Sequence, residues 1–369
     1  MNLIIVSSAY QLLNAILIAK KSKRDFELML IRRNLVDSCD IDVLKDLNFF
    51  KKVYIWGNLQ DSISDEKVKT RKDKLKRYQH LTKAILNKKK ILAKLPNKEI
   101  MYEVIFVGYA DFVSRLICSY FVKRGSSIGL FDEGTYTYRC LEVEKSLLRK
   151  IANQVVFGGD ILDSIKIVYV REPKKLNSGN HKHLRIYKID SDYQAEKKEI
   201  FAVYKMDGSG IDLFNRPVVC FDQNLEMSTL RQRQSDIVSE CVNVFGKNNV
   251  MVKLHPSSRK NGYESSSAVF KGRAPFEILM DAFDFNNKLL VSVFSSTCFA
   301  PKEELNQEPF VMFTFNLMGN DFHINPEYLR MVDDLRDEYN QKDRIFVPKS
   351  KEEMLENLRH IKDVMVKAE

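Results

Sequence analysis

The chain has 369 residues, 44% of them hydrophobic and 29% charged, which suits a folded protein of two domains and excludes large-scale disorder. The net charge is +10, and much of it lies between Lys67 and Lys98, in Lys67-Val68-Lys69-Thr70-Arg71-Lys72 and Lys88-Lys89-Lys90. Few aromatics interleave those cations, so the stretch predicts a solvated face or a contact with anionic lipid, and no nucleic-acid partner.

In chain order, Met1 to Ser8 lacks the basic leader of a signal peptide and is too short to span a bilayer, so Leu3–Val6 is expected as a first buried strand. Tyr10–Lys20 follows with helical spacing of Leu12, Leu13, Ile16 and Leu17. Strands are expected at Phe26–Ile31, Val53–Trp56, Val104–Val107 and Ile128–Phe131, with a helix over Ala110–Val122. The polar stretch Arg171–Gln194, with Pro173, Asn177, Ser178 and Gly179, is the expected linker. A second series then alternates strands at Val218–Phe221, Val250–Leu254, Leu289–Phe294 and Pro309–Phe313 with helices at Leu230–Phe245, Phe276–Ala282 and Ser296–Leu305. An amphipathic helix over Lys351–Ala368 ends the chain. Six cysteines (Cys39, Cys118, Cys140, Cys220, Cys241, Cys298) form no CxxC pair and no metal-like spacing with histidine, and several lie in apolar runs. They fit reduced core residues of a cytoplasmic protein.

This alternation predicts an α/β protein of GT-B-like architecture, two Rossmann-like domains facing a central cleft. The expected division is an N-terminal domain over 1–185, a C-terminal domain over 195–350 and a terminal helix over 351–369.

The string Phe131-Asp132-Glu133-Gly134-Thr135 carries an acidic pair off the end of a buried strand into a glycine turn. Carboxylates at the carboxyl end of a sheet strand can reach a bound ligand, and partial burial raises their basicity. An acidic-Gly pair is also ordinary turn chemistry.

Three further groups follow. His255 and Pro256 close the strand segment Lys253-Leu254-His255-Pro256, where an imidazole can exchange a proton near neutral pH or simply bond to backbone. Lys253 would point to the same face, and is as easily a solvated strand end. Glu277 opens a short helix, where an acid suits the helix dipole and can equally accept both hydroxyls of a ribose. Ser295-Ser296-Thr297 follows a strand directly; hydroxyls there cap a helix or hold a phosphate. Together these groups suit a nucleotide, and the absence of a paired-aspartate signature favours a monophosphate handled without a metal.

In this order the four motifs resemble the bacterial sialyltransferases, and Ser7-Ser8-Ala9-Tyr10-Gln11 is similar to the opening of glycosyltransferase family 52. Family 80 and the polysialyltransferases share the acidic-acidic-Gly and His-Pro motifs. The resemblance implies Asp132 as general base, with Glu133 open as an alternative, and Gly134 as the residue permitting close approach. It implies His255 as acid or phosphate ligand, Pro256 against cytosine, Glu277 on the ribose, and Ser295, Ser296 and Thr297 on the phosphate. Tyr10 and Gln11 would line the sugar cleft. It further implies an inverting reaction without a required metal or other cofactor, and members that can be dimers.

The expected activity is transfer of sialic acid from the donor CMP-Neu5Ac to a galactose-type hydroxyl of a surface glycan or glycolipid, in the cytoplasm or at the inner membrane face through Lys67–Lys98. The alternatives are a transferase using CMP-Kdo or a UDP-hexose, and a non-catalytic protein binding anionic polymer or lipid.

Overall fold

A computed structural model describes the chain apart from residues 23, 32, 57–81, 83–84, 87, 109–110, 135–136, 139–152, 155, 160–163, 177–182, 191, 194–195, 207–210, 224, 226, 256–257, 259–261, 264–266, 273, 281–282, 320–321, 325 and 369. It divides into two compact units, Met1–Val203 and Tyr204–Glu369.

Unit 1 is built on seven strands: β1 (Asn2–Val6), β2 (Phe26–Leu30), β3 (Lys52–Ile55), β4 (Val104–Val107), β5 (Ser127–Phe131), β6 (Ile165–Val170) and β7 (Arg185–Lys188). They lie in the order β3-β2-β1-β4-β5-β6-β7, every pair parallel. The central strands β1, β2 and β4 are buried along their whole length. That burial on both faces is why they are continuous apolar runs rather than alternating ones. The described helices of this unit are α1 (Ala9–Lys21), α2 (Arg33–Ser38), α3 (Ile41–Asp46), α4 (Lys88–Ala93), α5 (Phe112–Val122) and α6 (Lys197–Val203). The Asp111 carboxylate accepts from the Ser114 N–H and so starts α5, while Ser8 starts α1 by accepting from Gln11 N–H.

Unit 2 has six strands: β8 (Val218–Phe221), β9 (Val250–Lys253), β10 (Ala268–Phe270), β11 (Leu289–Ser292), β12 (Phe310–Phe313) and β13 (Ile345–Phe346). Their order is β10-β9-β8-β11-β12-β13, again all parallel. Its helices are α7 (Ser228–Phe245), α8 (Phe276–Met280), α9 (Ala300–Leu305), α10 (Pro326–Glu338) and α11 (Lys351–Ala368). The terminal helix α11 belongs to this unit, tied to α7 by Lys351–Glu240 at 2.5 Å and by Lys362 Nζ donating to the Val244 carbonyl at 2.7 Å. In both units the chain starts a strand in mid-sheet, winds outward one way, then returns to wind the other way. That is the doubly wound order, with a reversal between β1 and β4 and another between β8 and β11.

Three expectations need correction. The stretch expected as a linker carries a 3₁₀ turn (Pro173–Lys175) and β7, whose Ile186 and Tyr187 register against Val168 and Tyr169. It looks like a linker because an edge strand keeps charged residues, here Arg185 and Lys188, to blunt its open side. The first unit therefore does not end at residue 185. It continues through α6, where the Asp40 N–H donates to the Val203 carbonyl at 2.7 Å. The helix expected over Ser296–Leu305 is a 3₁₀ turn (Ser296–Cys298) followed by α9 from Ala300, because Pro301 is tolerated only in a first helical turn.

Five cysteines, Cys39, Cys118, Cys220, Cys241 and Cys298, are free and buried, and Cys140 lies outside the described residues. Burial pushes the Cys298 thiol up to about 12. Most of the basic stretch Lys67–Lys98 also lies outside the described residues. Within it, Lys88 donates its ammonium to the Val156 carbonyl, so this lysine is spent on the fold. No described helix is long and apolar enough to cross a membrane.

Candidate active site

In unit 1 the candidate groups cluster at the carboxyl ends of neighbouring strands. Asp132 follows β5 directly and is buried, with 1% of its surface exposed. Oδ1 accepts from the Gly134 N–H at 2.7 Å, and Oδ2 accepts from the Tyr138 hydroxyl at 2.6 Å and the Arg171 N–H at 3.0 Å. The first of these closes an Asx-turn, so the turn chemistry expected of the string is present. Gly134 has φ +80, a left-handed conformation that costs a side-chain-bearing residue strain, and open space where a Cβ would stand. The half-buried Glu133 is held at its backbone, its N–H donating to Thr137 Oγ1 at 2.7 Å.

Tyr138 bridges two strand ends, donating to Asp132 and accepting from the Glu172 N–H at 3.1 Å. Burial first, and the Asp132 carboxylate second, push its phenol far above the ordinary tyrosine range, so it stays protonated as a donor. Asn14 of α1, fully buried, donates to the Asp132 carbonyl at 2.9 Å and accepts from Arg171 Nε at 3.1 Å. The Arg171 guanidinium lies over the Tyr10 ring, 5.4 Å from its centre. Gln11 is buried under Gly108, and its Oε1 accepts from Ser7 N and Oγ at 2.7 and 3.0 Å. The structure thus joins Asp132, Gly134 and Tyr10 in one network through Arg171. It places Gln11 beside it, on the β1 end of the same helix.

In unit 2, His255 lies two residues beyond β9 and is exposed. Its backbone N–H donates to Asp222 Oδ2 at 3.2 Å. Asp222 follows β8 and gathers four groups: Ser258 Oγ also donates to Oδ2, while Gln234 Nε2 at 2.6 Å and the Tyr263 hydroxyl at 2.9 Å donate to Oδ1. This carboxylate fixes the loop that presents His255. Glu277, half-buried, opens α8. The Lys253 side chain at the end of β9 is buried, and desolvation pulls its ammonium down to about 8 against the opposing pull of Glu277. Ser295 follows β11; its N–H donates to Ser292 Oγ at 2.7 Å, and its Oγ accepts from the Thr297 N–H at 3.3 Å. N-capping is therefore present, and a hydroxyl that accepts keeps its own proton to donate. Ser296 is exposed and Thr297 half-buried. Pro256 lies outside the described residues.

His255 and Ser295–Thr297 thus stand at the carboxyl ends of β9 and β11, on either side of β8 and its Asp222. In doubly wound sheets ligands bind at the strand-order reversal, here β8/β11. Asp222, Tyr138, Arg171 and Asn14 were not expected from the sequence. Asp222 and Arg171 carried a usable signal, a charged residue directly after an apolar strand, the same pattern that marked Asp132. Tyr138 and Asn14 carried none, because only the fold brings them to Asp132.

No family model matches the chain, and no curated protein matches it in sequence. Solved structures do match in shape. An Arabidopsis thaliana structure, UGT89C1 complexed with UDP-L-rhamnose, is 10% identical with a TM-score of 0.56, covering 100% of this chain and 93% of that one. The UDP-GlcNAc 2-epimerase of Methanocaldococcus jannaschii in complex with UDP-GlcNAc and UDP is 12% identical with a TM-score of 0.53, covering 99% and 93%. The UDP-GlcNAc 2-epimerase of Neisseria meningitidis bound to UDP-GlcNAc is 11% identical with a TM-score of 0.50, covering 100% and 92%. At such identity the likeness is one of fold. With two parallel α/β units in doubly wound order, the chain has a GT-B-like fold.

Proposed function

We propose that the chain is an inverting glycosyltransferase that moves sialic acid from CMP-Neu5Ac to a galactose-type hydroxyl of a glycan or glycolipid. The observation that carries this reading is the set of groups flanking the β8/β11 reversal: His255 on its Asp222-held loop, and the hydroxyls of Ser295–Thr297. It is supported by the full-length likeness in fold to proteins solved with UDP, UDP-L-rhamnose or UDP-GlcNAc, and by the motif resemblance to sialyltransferases.

In the proposed reaction Asp132 takes the proton of the acceptor hydroxyl as that oxygen attacks C2 of the sialyl group. The bond from C2 to the phosphate oxygen breaks, and its electron pair leaves with CMP. His255 donates to that phosphate, and the hydroxyls of Ser295–Thr297 donate alongside. Tyr138 already donates to Asp132 Oδ2, so the acceptor hydroxyl shares or displaces that phenol. General base catalysis supplies roughly 10²–10⁴-fold of the rate. No cofactor enters this scheme. A homodimer and a position at the inner membrane face, with the basic stretch toward glycolipid acceptor, belong to the same proposal.

The shared ligand class of the matched structures favours a second reading, a UDP-sugar enzyme on the same fold. The base assignment is tested by Asp132→Asn, which is expected to abolish transfer while CMP still binds. Near-normal turnover in that variant, with loss on Glu133→Gln instead, moves the base to Glu133.

A further inference from the structure

Unit 1 has a second concave surface, a cleft of about 370 Å³ between the last turn of α1 and the strands β6 and β7. Its floor is aliphatic, from the buried Leu17, Ile18 and Ile167. Tyr169 and Tyr187 also line it. They are partners in the β6–β7 register, stacked with ring centres 5.1 Å apart and planes 22° from parallel. Tyr169 covers one face of the Tyr187 ring, yet Tyr187 is still 42% exposed. Three cations line the cleft, Lys21, Arg24 and Lys188, against one acid, Asp190. Lys21 pairs with Asp190 at 2.8 Å, and Arg24 with Glu103 at 3.3 Å. Lys188 is exposed and has no ion pair among the described residues. Cross-strand pairing accounts for the tyrosine stack, and edge blunting accounts for Lys188. Neither accounts for an exposed ring and surplus cations converging on one cleft.

We infer that this cleft binds an acidic saccharide: the apolar face of a pyranose lies on the Tyr187 ring, and its carboxylate meets Lys188 and Arg24. The volume is that of a small-ligand pocket. Ring hydroxyls find an acceptor in Asp190 and a hydroxyl in Ser22, which also lines the cleft. Among the described residues no asparagine or glutamine lines it to read the edge of a base, so a nucleotide fits it less well. About 16 Å of helix rise separates Tyr10 from Lys21. The cleft therefore stands apart from the Asp132 network and does not depend on the role given to that carboxylate.

The test is saturation-transfer NMR of the full chain with methyl β-D-glucuronide and with methyl β-D-glucoside, which differ by the carboxylate. The wild type is expected to transfer to the glucuronide ring protons and much less to the glucoside, with the difference shrinking as salt rises. Tyr187→Ala and Lys188→Glu are each expected to weaken glucuronide binding roughly 5-fold, and Asp132→Asn and His255→Ala to leave it unchanged. Equal transfer to the two sugars, or to neither, overturns the proposal. So does binding that survives Tyr187→Ala and Lys188→Glu but is lost in Asp132→Asn or His255→Ala, since the sugar then sits at the strand ends. A purely structural tyrosine pair lowers Tm in Tyr187→Ala and leaves affinity intact, which also overturns it. If Tyr187→Ala does not fold, Lys188→Glu decides, because that side chain is exposed. Capture of the chain by phosphatidylglycerol vesicles, lost in Lys188→Glu and without any sugar signal, would assign the cleft to a lipid surface instead.

Discussion

At the scale of single residues, two buried charges, Asp132 in unit 1 and Lys253 in unit 2, behave oppositely. The Asp132 carboxylate is satisfied three times over, by a backbone N–H on each oxygen and by the Tyr138 phenol. Among the described residues the Lys253 ammonium has only a ring and the field of Glu277. The second arrangement has a measurable signature in stability. The folded chain holds the Lys253 pKa at about 8, and the free side chain titrates at 10.5. Between those values the unfolded chain binds the proton and the folded chain does not, so stability rises with pH across that window. The contribution is on the order of 3 kcal/mol. Denaturant titrations at pH 7 and pH 10 are expected to differ less for Lys253→Met than for the wild type, by about that amount. An identical pH slope in the two proteins would show that the lysine is solvated.

At the scale of elements, α1 is the part of unit 1 that assembles the site. Gln11 and Asn14 are one turn apart and face the sheet, the first under Gly108 and the second between Asp132 and Arg171. A Cβ at Gly108 would stand 2.9 Å from Gln11 Cγ, closer than carbon atoms pack. Asn14→Ala leaves the Asp132 carbonyl and the buried Arg171 Nε without their partner, a cost of roughly 1–3 kcal/mol. Urea denaturation should show that loss, together with reduced transfer activity. Wild-type stability and activity in this variant would detach α1 from the site.

Elements also explain what was legible in the sequence. The interior strands β1, β2, β4, β5, β8, β9, β11 and β12 were readable because burial on both faces makes them continuous apolar runs. β6, β7, β10 and β13 were not expected: the exposed Lys166 interrupts the apolar run of β6, and a polar four-residue edge, a three-residue edge and a two-residue strand carry no such pattern. Asp132, His255, Glu277 and Ser295 were visible because each sits where a strand or helix begins or ends. Tyr138 and Asn14 were invisible because their role depends on tertiary contact, 6 and 118 residues from Asp132.

At the scale of the whole molecule, the same winding occurs twice. Each unit starts a strand at mid-sheet, reverses once, and carries polar side chains at the carboxyl ends near the reversal. A sheet that reverses leaves a crevice between helices on opposite faces, and this makes each unit a ready ligand-binding frame. The structures it resembles in fold include a UDP-GlcNAc 2-epimerase and a protein complexed with UDP-L-rhamnose, so a fold of this kind does not fix the chemistry, which must come from the residues at those strand ends. The central claim is the donor. It is tested most directly by incubating the full chain with a galactose-terminated acceptor and, separately, CMP-Neu5Ac, CMP-Kdo and UDP-GlcNAc, with products read by mass spectrometry and NMR. The account predicts a sialylated product of inverted anomeric configuration from CMP-Neu5Ac and none from the UDP-sugar. Turnover of UDP-GlcNAc with none of CMP-Neu5Ac would contradict it.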